Sequence, residues 1–334
     1  MPKLKQPIQV DDKSDKRTVM TVVNRLFARR ESGLFLLLIL ICFIMSVLKP
    51  DTFFTSENAF NILRQVSIIA IIAVGQTFVM ISGGIDLSIG YNLALCGIVI
   101  STFLQMGFGP ILSIIMGIIA GALVGFLNGI IITKLRLPPF IATLGMANIA
   151  RGIIYIITQG FSISVDNPIV IGIGVGNVAS IPILSIIMFV IVLIGIYVLD
   201  STVFGTRVKA IGGNELASKL SGIKVHHNKI AVYTMTGVLA AIGGLIMVGR
   251  LYAGNPNAGA NFEMDSIAAT IVGGTSLSGG QGTVVGALLG SLLLAVIKNS
   301  LVLLSVNMYW QTVAVGVIII IVCAIDGFTR VRRA

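Results

Sequence analysis

The chain has 334 residues, 56% of them hydrophobic and only 11% charged. Water-soluble domains carry roughly 25% charged residues, so this composition excludes an ordinary soluble fold. The net charge of +10 is gathered into a few segments, as on the cytoplasmic flanks of membrane helices, and no motif supports nucleic acid as a partner.

Residues 1–33 form a polar, basic tail: eight of the 23 Lys and Arg lie in residues 1–30. A helix that crosses a bilayer needs roughly 20 mostly apolar residues. Such runs fall near 34–49, 61–81, 86–106, 110–133, 138–158, 181–199, 229–250, 264–279, 283–304 and 309–326. The expected fold is therefore all-α and integral to the membrane, with about ten transmembrane helices in one domain, 34–328. No small-residue cleavage site follows Leu34–Leu48, so the first helix is expected to be retained. The eighth run is short and is broken by Gly273, Gly274, Gly279 and Gly280, which leaves nine spans or a re-entrant element open.

Basic residues set the orientation. The N-tail, Lys134 and Arg136, the segment 200–228 and the C-tail 329–334 all fall on one side under a ten-span count, while 159–180 carries no Lys or Arg. Both termini are expected in the cytoplasm. The 38 glycines include the stripe Gly117, Gly121, Gly125 and Gly129, a spacing that lets helices approach closely in lipid.

The third run opens on "SGGIDLSIG", Ser82–Gly90, which sets an aspartate and a Gly pair inside apolar sequence. Ionisable groups at bilayer depth face protein or water. Asp86 has three open roles: capping the next helix after the Gly83–Gly84 break, lining a cavity, or binding a proton; its position favours the cap. "GGTSLSGG", from Gly273, echoes "GGIDLSIG", from Gly83, which suggests a parallel internal repeat built on broken helices and bordering a pathway. Gly83, Gly84, Asp86, Ser88, Gly273, Gly274, Ser276 and Ser278 are the junction candidates, with Gln76 and Asn128 as polar groups in the adjoining spans. Arg151 is expected to find a carboxylate or backbone carbonyls. Lys298 lies toward a helix end, where it can snorkel.

Between the sixth and seventh runs, Asn214 suits an N-cap and Glu215 the first turn. "ELASKLSG" reads as a short helix stopped by Gly222, with Leu216, Ala217 and Leu220 on one face. Either the bilayer surface or a groove on a soluble protein could cover that face, and the helix is too short to be stable alone. On the other side, Glu263 and Asp265 stand at a helix mouth and are expected to cap it. Tyr309 and Trp310 fit an interfacial belt.

No G-x-x-x-x-G-K-[ST] loop, H-E-x-x-H or Cys-x-x-Cys occurs, and only two histidines are present, so nothing points to an ATP site, a metal site or catalysis within this chain. Cys42, Cys96 and Cys323 are isolated in apolar tracts and read as packing residues.

"AVGQTFVMISGGIDLSIG" (73–90), "PPFIATLGMANIARG" (138–152), "FGTRVKAIGGNELASKLSGIKV" (204–225), "DSIAATIVGGTSLSGGQGTVVGALLG" (265–290) and "YWQTVAVGVIIIIVCAID" (309–326) together resemble the ribose-type permeases of bacterial ABC importers for monosaccharides, in order and over about 35–328. Thr270 departs mildly from that pattern, where Val is frequent. The resemblance implies a fold like the vitamin B12 importer permeases and a location in the bacterial inner membrane. It implies a second permease chain, identical or not, a cytoplasmic ABC ATPase that carries ATP and Mg, and a periplasmic or lipid-anchored sugar-binding protein. Asn214–Ile223 would then be the coupling helix, with Gly213, Asn214, Glu215, Ala217, Lys219, Leu220, Gly222 and Ile223 meeting the ATPase. The rival expectation is a proton-coupled secondary sugar transporter that uses Asp86.

Overall fold

The computed structural model describes residues 30–307, 309–314, 316–317 and 320. Most of the basic N-tail, half of the tenth predicted span and the C-tail 329–334 lie outside them. Helix α1 (Arg30–Leu48) leads through a single turn, α2 (Pro50–Phe53), into α3 (Ser56–Ile81). Then follow α4 (Ile89–Gln105), α5 (Pro110–Lys134), α6 (Pro139–Thr158) and the short α7 (Pro168–Val175). Next come α8 (Ile183–Ser201), α9 (Val203–Gly213), α10 (Glu215–Leu220), α11 (Val225–Leu251), α12 (Phe262–Val272) and α13 (Val284–Leu303).

The protein is an all-α integral membrane protein. Among the described residues, six helices, α3, α5, α6, α8, α11 and α13, are long and apolar enough to cross a membrane, and α1 and α4 carry shorter apolar stretches. The expected eighth span is corrected: α12 has 11 residues, about 17 Å of helix, and cannot cross a hydrocarbon core of roughly 30 Å. The third span also starts later than expected, at Ile89 rather than residue 86, because residues 82–88 leave helical geometry. The four strands, each of two residues, are loop staples: β1 (Ile163–Ser164) pairs antiparallel with β4 (Ala253–Gly254), and β2 (Asn177–Val178) with β3 (Ile181–Pro182).

Two helices organise the bundle. Most of α3 is buried, and α11 packs against α3, α4, α5 and α7. The core joins Ile71, Ile72, Phe78 and Val79 of α3 to Val232, Tyr233, Ala240 and Ile246 of α11. Large apolar side chains of α5, α6 and α8, such as Ile119, Ile156 and Leu193, face outward, as a lipid environment requires.

The glycine stripe of α5 lies against α11. A Cβ at Gly121 would meet the Gly237 carbonyl, one at Gly125 the Tyr233 carbonyl, and one at Gly129 the Ile230 backbone. Close backbone approach adds dispersion contacts that lipid cannot supply. Gly125→Ala should therefore cost about 1–3 kcal/mol through overpacking. Gly145→Ala, on α6 with nothing within 4 Å, should be neutral or slightly stabilising through helix propensity. Thermal unfolding of the two purified variants in detergent measures the contrast.

Candidate functional site

The helix break after α3 closes in a specific way. Gly83 N–H bonds to the Met80 carbonyl at 2.9 Å and Gly84 N–H to the Val79 carbonyl at 3.0 Å, with Gly83 at φ +81°. The break after α12 repeats this: Gly274 N–H to Ile271 at 2.8 Å and Thr275 N–H to Thr270 at 3.1 Å, with Gly274 at φ +88°. Both are Schellman closures, which require a residue that tolerates positive φ. The two breaks close alike, as do the helix ends at Gly107 and Gly222, and the match in geometry is shifted by one residue from the match in sequence. Gly83 corresponds to Gly274, not Gly273.

Position along α11 gives the height of each element. Gly84 lies against the Tyr233 hydroxyl, whereas Leu93 of α4 lies against Gly243 and Gly244. That difference is about 15 Å along α11, so residues 84–93 climb back into the bundle. At the top of the climb, a Cβ on Gly90 would meet Glu263 and the Gly259 carbonyl. The N-terminal ends of α4 and α12 therefore meet inside the bundle, both with the positive ends of their dipoles turned inward.

A buried polar cluster supports this meeting point. Asp86 is 2% exposed. Its Oδ1 accepts from the Ser88 N–H at 2.8 Å and the Ser88 hydroxyl at 2.6 Å. Asn128 Nδ2 donates to Ser88 Oγ at 2.8 Å. Gln76, with its amide oriented to match, bonds both the N–H and the carbonyl of Asp86 at 3.3 Å. The carboxylate braces the turn that leads into α4 and bonds no N–H inside the helix. Of the sequence candidates, Gln76, Asp86, Ser88 and Asn128 form one cluster. Ser276 and Ser278 lie apart from it, in the α12–α13 loop, where the Ser276 N–H bonds the Gln281 carbonyl at 2.9 Å and Ser276 Oγ accepts from the Ser278 N–H.

Helix α10 forms as its sequence predicts. Asn214 Oδ1 accepts from the Ala217 N–H at 2.9 Å, Glu215 pairs with Lys229 at 2.6 Å, and the helix ends in the Schellman closure at Gly222, φ +82°. Leu216 and Leu220 are 69% and 80% exposed. Gly213, Ala217 and Lys219 are exposed and Ile223 is half-buried.

Glycines read in the sequence only as helix breakers, or not singled out, tie the end of α9, which leads into α10, to both breaks. Gly280 N–H bonds the Ile81 carbonyl at 2.9 Å. A Cβ at Gly212 would collide with that carbonyl and with the Gly280 nitrogen, and one at Gly279 would stand 3.1 Å from Gly83 Cα. Phe204 of α9 stacks on Phe78 of α3, centroids 6.3 Å apart. Three chain segments thus meet backbone to backbone at Ile81, Gly212 and Gly280. The signal in the sequence was the pairing of glycines at 212–213 and 279–280 beside the two motifs already singled out.

Three charge expectations are corrected. Lys298 does not snorkel but pairs with Asp265 at 2.6 Å, because α12 and α13 pack closely at Ala269 and Gly290. Asp265 does not cap α12 but is held by Lys298, whereas the Glu263 carboxylate meets the backbone N–H groups of Asn261 and Glu263 at the start of that helix, as expected of a cap. Arg151 lies over the rings of Tyr91 and Tyr155, 5.6 and 5.8 Å from their centroids, rather than against a carboxylate.

With this geometry in view, comparisons place the chain. Residues 58–323 match the model of the branched-chain amino acid transport system permease component. The ribose import permease protein RbsC of Haemophilus influenzae is 40% identical over 309 residues, 91% of this chain and 95% of that protein. This chain is a ribose-type ABC importer permease by family. The corresponding Bacillus subtilis protein is 42% identical over 303 residues, covering 88% of this chain and 92% of its own length. The fructose import permease protein FrcC of Rhizobium meliloti is 33% identical over 329 residues, 96% and 91% respectively. No solved structure matches. As members of this family are permease components, the chain is a membrane permease subunit of a sugar ABC importer.

Lys298→Met strands the Asp265 carboxylate of a part-buried pair and should cost about 1–3 kcal/mol, as leaving a polar group unpaired does. Adding Asp265→Leu should recover most of that loss. Unfolding midpoints of the single and double variants in detergent test it.

Proposed function

We propose that this chain is the translocating subunit of an ATP-driven importer for a neutral monosaccharide, ribose or a near relative. A sugar-binding protein delivers the sugar on one side, and an ABC ATPase, with its ATP and Mg, grips α10 on the other. Two permease chains pair around the pathway, in the bacterial inner membrane with both termini cytoplasmic. The observation that carries this reading is the attachment of α10. A two-turn helix with two bare leucines joins, through Gly212, the ends of both broken helices.

The mechanism follows from that attachment. The ATPase covers Leu216 and Leu220 in a helix-in-groove contact. When ATP closes the ATPase, α10 moves, and Gly212 bears directly on the Ile81 carbonyl and the Gly279–Gly280 loop. Backbone in contact with backbone has no soft side chain to absorb the displacement. The motion therefore passes to the level where α4 and α12 begin, and the pathway changes its open side. Nucleotide and the loaded binding protein must favour different states for this to run in one direction.

The rival reading, proton coupling through Asp86, has weaker support, because that carboxylate is engaged by Ser88 and braces a turn. In liposomes with the ATPase and loaded binding protein, ribose uptake should require ATP and persist when the proton gradient is collapsed. Loss of uptake on collapse with ATP intact would favour the rival. Leu216→Asp with Leu220→Asp should abolish co-purification of the ATPase. Gly212→Val should leave the ATPase bound but reduce uptake at least about tenfold, a barrier rise of about 1.4 kcal/mol.

A further inference from the structure

A cavity of about 500 Å³ opens between α3, α11, α12 and α13. It lies at the end of the bundle remote from α10: Gln65, on its wall, is about 24 Å along α3 from Ile81. Its volume falls in the range of small-molecule sites, about 300–1,000 Å³. The wall carries Asn61, Gln65, Asn299, Arg250, Asp265 and the ring of Phe262.

The chemistry of this wall is specific. Three amides each offer a donor and an acceptor, Arg250 adds donors, and the Asp265 carboxylate is an acceptor. Phe262, with the aliphatic residues around it, supplies an apolar face. Asn299 Nδ2 donates to Asn58 at 2.7 Å, but its buried Oδ1 has no partner among the described residues. Arg250 forms no ion pair among them. Lys298 also lines the cavity but is held by Asp265 at 2.6 Å, so the groups that face a ligand, the amides of Asn61 and Gln65 with Arg250 and Asp265, suit one that can donate as well as accept. A sugar hydroxyl does both, and the C–H face of a pyranose or furanose ring suits an aromatic platform. A carboxylate or phosphate ligand would meet Arg250 but would also stand against the Asp265 carboxylate, with no proton to give it.

We infer that this cavity is a holding site for one neutral monosaccharide within the permease chain, occupied after release from the binding protein and before passage beyond the level where α4 and α12 begin. The inference rests on the importer reading above. It adds a station with its own contacts to a pathway otherwise expected to be a weakly polar conduit. The Asp265–Lys298 pair fixes the carboxylate at the mouth of α12, so a shift of α12 on ATP binding would change the cavity directly.

The test uses the complete importer in liposomes, with radiolabelled D-ribose, D-fructose and D-allose as probes. Gln65→Ala removes one amide and leaves the Asn58–Asn299 and Asp265–Lys298 contacts in place. It should carry about fivefold less sugar per ATP hydrolysed, the loss expected for one hydrogen bond. In a second measurement, a Gln65→Cys permease should be labelled more slowly by a thiol reagent when the transported sugar is supplied. Wild-type sugar per ATP for Gln65→Ala, or labelling unaffected by sugar, would overturn the holding site while leaving the importer reading intact. Stronger protection of the cysteine by D-ribonate than by D-ribose would also overturn it. Absence of ATP-driven uptake of all three sugars by the unaltered chain would overturn the importer reading, and the holding site with it.

Discussion

The structure turns on the Ile81 carbonyl. At the end of any helix the last carbonyls lack a partner within it, and Ile81, which closes α3, is buried. The Gly83 and Gly84 N–H groups close back on α3, and the Ile81 carbonyl receives the Gly280 N–H from a distant loop. That bond needs the two backbones to touch, and Gly212 must lie between them without a side chain. The two helix breaks, the coupling helix and their mutual position therefore follow from a single requirement of backbone hydrogen bonding.

The same requirement explains the distribution of polar residues. Gln76, Asp86, Ser88 and Asn128 occupy the stretch where the chain climbs from the end of α3 to the start of α4, which is where helical self-satisfaction fails. Away from the breaks, the spans need only small residues, and the α5 stripe against α11 provides them. Polar chemistry is concentrated where regular structure is interrupted.

Much of this was legible in the sequence. The long apolar runs gave the spans to within a few residues, because a bilayer imposes length and apolarity on any helix that crosses it. Asn214, Glu215 and Gly222 gave α10, because capping is local. The breaks at Gly83 and Gly274 were visible as glycine pairs, although the register of the repeat was not: dipeptide identity aligned Gly83 with Gly273, while positive φ aligns it with Gly274. Pairings set by tertiary packing were not legible. Lys298 was read as snorkelling and Asp265 as a cap because nothing local places them side by side across α12 and α13. Arg151 was assigned a carboxylate, whereas two aromatic rings, one on a neighbouring helix, hold it. The roles of Gly212 and Gly280 were hidden because both depend on a partner far away in the chain.

The Ile81–Gly280 bond also bears on how such a chain is made. Chains enter the membrane from the N-terminus, and contacts between distant residues form late. Helix α3 is in place well before residue 280 leaves the ribosome, so its last carbonyl must wait in an incomplete environment. The newborn protein is thus unsettled beside Ile81 until the α12–α13 loop arrives, and that loop closes the end of a helix made about two hundred residues earlier.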